Sequence, residues 1–150
     1  MSDEWWREKI PEGEQVLWFG HPHSGFFPPH LGWSYRILIG AVGLAWLASP
    51  WFADTVRDFW KLISCTGVLA FVMWADRFVR SQRVYVVTSQ NAWQINTEFK
   101  PKKLKINRFL NFRTVPSAVV FARHPFFRFD HLSDPDAALA ALTQAREAQT

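Results

Sequence analysis

Only one cysteine, Cys65, occurs in the chain, so no internal disulfide forms and the C-x-x-C and Cys/His spacings of a structural metal site are missing. The seven glycines include no phosphate-cradling loop. Nucleophiles are equally bare. Ser64 and Cys65 lie inside a long apolar run, and Ser81, Ser89, Ser117 and Ser133 stand in turn-like stretches with no base motif beside them. His21, His23 and His30 fall close together, but Pro22 separates the first two and neither carboxylate nor cysteine joins them, so they read as loop histidines. His124 and His131 have no partner in the sequence. No catalytic residue, metal or cofactor is therefore expected, and the chain does not read as an enzyme. Acid is scarce in one region as well. From Arg77 to Arg113 there are nine Lys or Arg and one acid, Glu98.

What the chain has in excess is apolar length. Trp33 to Ala53 supplies 21 positions with Arg36 as the one full charge, and Phe59 to Phe78 supplies 20 with its charges, Lys61, Asp76 and Arg77, near its ends. About 20 mainly apolar residues suffice to cross the hydrocarbon core of a bilayer, and terminal charges reach the headgroups. Trp33, Tyr35, Trp51, Trp60 and Trp74 stand near the ends of these runs, where amphipathic rings favour the interface. Two buried helices of a soluble bundle are the alternative. A surface helix carries a polar stripe, and neither run has one. The expectation is a two-helix transmembrane hairpin, turning at the polar residues 53–58.

The basic residues orient it. Arg77, Arg80 and Arg83 follow the second run directly, with Lys100, Lys102, Lys103, Lys105, Arg108 and Arg113 soon after, whereas Arg57 and Lys61 of the turn are balanced by Asp54 and Asp58. The positive-inside rule then places both termini in the cytoplasm. The opening residues Met1–Trp6 are acidic and lack an h-region, so no cleaved secretion signal is expected. Attraction to anionic phospholipid is the simplest use for such a block, at about 1 kcal/mol per basic residue near the surface. Arg80, Arg83, Lys100, Lys102, Lys103 and Lys105 are the candidate headgroup ligands, set against a plainer role in fixing topology. No recognition motif accompanies them, so nucleic acid is not the expected partner.

The remainder reads as a small β-domain. Trp5 and Trp6 form a short amphipathic lead to the membrane surface or the domain. Gln15–Phe19 is a short strand, stopped by Gly20–Gly25, and Pro28-Pro29 makes a stiff entry to the first run. Arg83–Thr88 is β-branched and aromatic, and Ala92–Ile95 returns after the turn 89–91 as its hairpin partner. Residues 97–103 read as a polar basic loop, followed by Leu104 and Ile106 on one face, then by strands at 118–122 and 126–132. Ser133 or Asp134 caps a closing helix with Pro135 in its first turn and an apolar stripe of Ala138, Leu139, Ala141, Leu142 and Ala145.

Three stretches in this order resemble a known family. Glu14-Gln15-Val16-Leu17-Trp18-Phe19-Gly20-His21-Pro22 is similar to an opening E-x-hydrophobic-L-W-x-G-x-P motif. Tyr85-Val86-Val87-Thr88 is similar to a Y-x-hydrophobic-T strand after the second span, and Leu132-Ser133-Asp134-Pro135 leads into the closing helix. The chain thereby resembles the bacterial pleckstrin-homology-like domains that carry a transmembrane hairpin. Members usually have Arg three residues after the Thr, where this chain has Asn91. The resemblance implies a bent antiparallel sheet of about seven strands, closed by one helix, with the hairpin inserted after the first strand. It brings no catalytic residues.

The expected fold is thus an α+β membrane protein: residues 1–32 an N-terminal segment and first strand, 33–79 the hairpin, 80–150 the rest of a PH-like β-sheet or barrel with a C-terminal capping helix. The expected function is a non-catalytic, membrane-anchored binding or assembly module that holds anionic lipid, a protein partner or a second copy. The alternative is a small subunit of a membrane transporter or enzyme complex. Against it stands the scarcity of mid-membrane polar groups, which are confined to Ser64, Cys65 and Thr66.

Overall fold

The computed structural model describes residues 4–29 and 31–150; His30, one of the loop histidines above, lies outside them. The fold is α+β. The chain divides into two compact units, Gly25–Val79 and a discontinuous unit of Met1–Ser24 with Arg80–Thr150.

In the first unit, two helices, α1 (Gly32–Phe52) and α2 (Val56–Ser81), are long and apolar enough to cross a membrane. No described side chain of α1 is buried, and large apolar residues such as Leu44, Leu47, Trp51, Val68 and Phe71 are exposed. α2 is longer than the apolar run alone indicates because Thr55 starts it early. The Thr55 hydroxyl accepts from the Asp58 N–H at 3.2 Å and donates to the Asp58 carboxylate at 2.7 Å, while Asp58 also takes Lys61 at 2.8 Å. Near the end of α1, Pro50 has no N–H for the Trp46 carbonyl. The Ser49 hydroxyl donates to that carbonyl instead, at 2.8 Å, so the helix runs on to Phe52. A side-chain hydrogen bond joins the helices: Trp46 Nε1 donates to Thr66 Oγ1 at 2.9 Å, and Thr66 donates back to the Leu62 carbonyl at 2.8 Å. Two members of the polar trio therefore have different fates, since Cys65 is exposed and Thr66 is engaged.

The second unit holds two antiparallel sheets among the described residues. One has the order β1 (Val16–Gly20), β2 (Arg83–Thr88), β3 (Asn91–Asn96), β4 (Lys102–Lys105); the other β5 (Phe112–Val115), β6 (Ala118–Phe121), β7 (Arg128–Phe129). α1 and α2 are inserted between β1 and β2, which pair antiparallel with Gly20 opposite Tyr85. Period-2 alternation gives the first sheet two apolar faces. Tyr85, Val87 and Ala92 face a core shared with Val119, Phe121, Phe129 and the helix α3 (Pro135–Glu147). Val84, Val86, Trp93 and Ile95 face the other way, onto Trp6. A single 3-10 turn, Trp5–Lys9, carries Trp6 there, and Lys9 pins it by donating to the Asn96 carbonyl at 2.8 Å. The Trp5–Trp6 lead thus packs on the domain. Asp134 caps α3 by accepting from the Ala137 N–H at 3.1 Å, with Pro135 in the first turn.

Three strands differ from the sequence expectation. The basic loop is shorter, since β4 already begins at Lys102. β5 was not expected at all. The expected strand at 126–132 shrinks to Arg128–Phe129, because His131 adopts a left-handed φ of 58° that turns the chain.

Candidate functional site

The motif residues near the two ends of the β-domain meet around one carboxylate. Glu14 precedes β1, Thr88 ends β2, and Asn91 and Trp93 lie in β3. Glu14 accepts from the Thr88 hydroxyl at 2.5 Å, the Asn91 amide at 2.7 Å and Trp93 Nε1 at 3.0 Å. The Asn91 N–H closes the turn on Thr88 Oγ1 at 3.0 Å. Three donors on one carboxylate make charge-assisted bonds. The arrangement ties the start of β1 to β2 and β3. Gly20 has an equally local reason. A Cβ there would lie 2.6 Å from the Trp18 ring, which crosses over it. Beside this, Tyr85 stacks on Phe129 at 4.7 Å and its hydroxyl accepts from the Asp130 N–H at 3.1 Å. Burial pushes the Tyr85 hydroxyl above its ordinary value, against the opposing pull of Arg83 and the Asp130 amide.

The six basic candidates do not form one patch. Arg80 is only 3% exposed and donates to the His23 carbonyl. Arg83 is half-buried, and its charge opposes the upward shift of the Tyr85 hydroxyl. The four lysines are exposed, Lys100 before β4 and Lys102, Lys103 and Lys105 along it. β4 is the edge of its sheet. Register divides its lysines: Lys103 stands opposite Trp93, with its ammonium 5.7 Å from the ring centre, and Lys105 stands opposite Asn91, while Lys102 stands opposite Gln94.

Sequence reasoning missed what lies beside this edge. Two neighbouring depressions, of about 600 and 490 Å³, are lined from one side by β4 and from the other by the turn Ala122–Phe127. Leu104, Arg123 and His124 line both. The larger is bordered by Phe109 and the smaller by Phe126, which are 77% and 89% exposed. No carboxylate lines either depression. Arg123 adopts a left-handed φ of 67°, which costs a non-glycine residue on the order of 1 kcal/mol. An Arg-His pair in a Phe-rich turn, about 20 residues from the lysines, carries no periodic or motif signal that could have found it. Among the described residues no group of three or more His, Cys, Asp or Glu gathers as a metal site.

No family model, curated protein or solved structure matches the chain.

Proposed function

We propose that the protein is a non-catalytic, membrane-anchored module with a pleckstrin-homology-like β-domain, holding anionic lipid or a protein partner at the cytoplasmic face of a bacterial inner membrane. The observation that carries this reading is the placement of α1 and α2. Two helices whose apolar side chains are largely exposed interrupt a β-domain that has its own buried core on either side of the insertion. Exposed apolar surface on that scale is unfavourable in water and suited to lipid. The PH-like reading draws support from the order of elements and from motif residues 74 positions apart meeting in the Glu14–Thr88 hydrogen bond. The orientation rests on the basic residues that follow α2.

Cysteine-accessibility labelling in intact cells tests it, with single cysteines at Thr55 and Gln144 in a variant lacking Cys65. The expected result is labelling of the 55 position from outside and protection of the 144 position. Protection of both, in a protein that fractionates with the soluble proteins, would make α1 and α2 buried helices and remove the membrane reading.

A further inference from the structure

The cleft between β4 and the turn Ala122–Phe127 gathers positive charge with no carboxylate lining it. Lys102 lines one half of it and Lys105 the other, with Arg123 shared by both, while the Lys103 ammonium turns to Trp93. None of Lys102, Lys105 and Arg123 is in an ion pair among the described residues. A concave surface lined by one sign of charge focuses its field and concentrates counter-ions. The plain explanation for lysines on an edge strand is protection against edge-to-edge pairing. That explanation does not extend to Arg123 and His124. They stand on a turn, and Arg123 holds a backbone conformation that glycine or asparagine would adopt more easily. The two exposed phenylalanines are the second observation. Single exposed apolar residues are unremarkable, but Phe109 and Phe126 border the two halves of the same basic cleft.

We propose that this cleft binds a phosphate ester, and that its source is the headgroup of an anionic phospholipid, with Phe109 and Phe126 packing against the lipid's apolar part beside it. The Arg123 guanidinium and the ammonium groups of Lys102 and Lys105 supply the charge-assisted donors, and His124 supplies a further ring N–H. The phenylalanines separate a lipid from a soluble phosphate ester, for which apolar rings at the rim have no use. The proposal rests on the membrane reading above and names the ligand and the site within it.

The test uses the full chain in neutral detergent micelles, with native mass spectrometry counting retained phosphatidylglycerol against phosphatidylcholine. With three basic donors at about fivefold each, the wild type is expected to retain the anionic lipid on the order of 100-fold more strongly. Each basic residue near an anionic surface contributes about fivefold, so Lys105→Gln with Arg123→Asn should lose about 25-fold. Asparagine suits the left-handed backbone at 123, and an unchanged near-ultraviolet spectrum shows that the variant is folded. Lys61→Gln, a basic residue of α2, should change nothing. Phe126→Ser should weaken lipid retention while leaving competition by glycerol 3-phosphate unaltered. Equal retention of the two lipids by the wild type, or full retention by the folded double variant, overturns the site. Displacement of the lipid by micromolar glycerol 3-phosphate, with Phe126→Ser having no effect, overturns the lipid source. A protein that is inserted with the expected topology yet shows no anionic preference loses this proposal alone, whereas a protein that needs no detergent loses the membrane reading first.

Discussion

At the scale of single residues, Glu14 is the position whose loss should be felt most widely. Its three donors belong to the end of β2 and to β3, so removing the carboxylate leaves Trp93 Nε1 and the Asn91 amide without an acceptor. Glu14→Ala is expected to destabilise the domain by about 3 kcal/mol, near the upper range for charged hydrogen bonds and stranded donors. Asn91→Arg should go the other way by about 1 kcal/mol, since it replaces a neutral donor to Glu14 with a charged fork. Chemical denaturation followed by tryptophan fluorescence measures both, and a Glu14→Ala change below about 0.5 kcal/mol would show the cluster to be solvated rather than structural. Tyr85 sets a pH limit. Its folded-state hydroxyl titrates above the unfolded value of about 10. The folded state therefore keeps a proton that the unfolded state has released. That contribution is complete below pH 10 and is lost as pH rises past it. An alkaline unfolding transition should begin above about pH 10 and be blunted in Tyr85→Phe, which a pH titration of the near-ultraviolet spectrum would show.

At the scale of elements, the Trp46–Thr66 hydrogen bond is a polar tie between α1 and α2. Thr66→Val keeps the shape and strands the indole N–H. A double-mutant cycle with Trp46→Phe should give a coupling of about 0.6–1.7 kcal/mol, the range found between membrane helices, read from unfolding in mixed micelles; zero coupling would mean that side-chain packing alone sets the pair. Legibility also varied by element, for physical reasons. α1, α2, β2 and α3 were readable because each is decided locally: uninterrupted apolar length, a run of β-branched residues, or a cap with proline behind it. β5 was not. Its hairpin with β6 turns through Pro116-Ser117, where Ser117 takes a φ of 54° with no glycine to announce it. The strand expected at 126–132 alternated correctly at Phe127 and Phe129, both buried, but His131 ends it and brings Leu132 to the same core on the opposite parity. The lysines of the candidate site were visible as a run. Arg123 and His124 were invisible because only the pairing of sheets brings their turn beside β4.

At the scale of the molecule, the insertion point makes the strongest demand. The β-domain is split in sequence by 55 residues (79 − 25 + 1), yet its first part supplies β1, the Trp6 turn and Glu14 to cores and bonds formed with the second. Its cut ends lie together: Gly20 pairs with Tyr85, and the His23 carbonyl accepts from Arg80. An antiparallel pair can be closed by a short loop. Replacing residues 25–79 by a four-residue Gly/Ser linker is therefore expected to give a soluble, folded protein. Trp6 and Trp93 should then emit at the short wavelengths of buried indoles, and unfolding should be a single cooperative transition. The same change removes every residue of α1 and most of α2, so membrane association should fall to whatever the basic cleft supplies, and that remainder should vanish with added salt. An excised chain that aggregates, or that unfolds without cooperativity, would mean that the β-domain depends on the helices it contains. The picture of an autonomous domain interrupted by an anchor would then give way to one in which the two units fold as a single body.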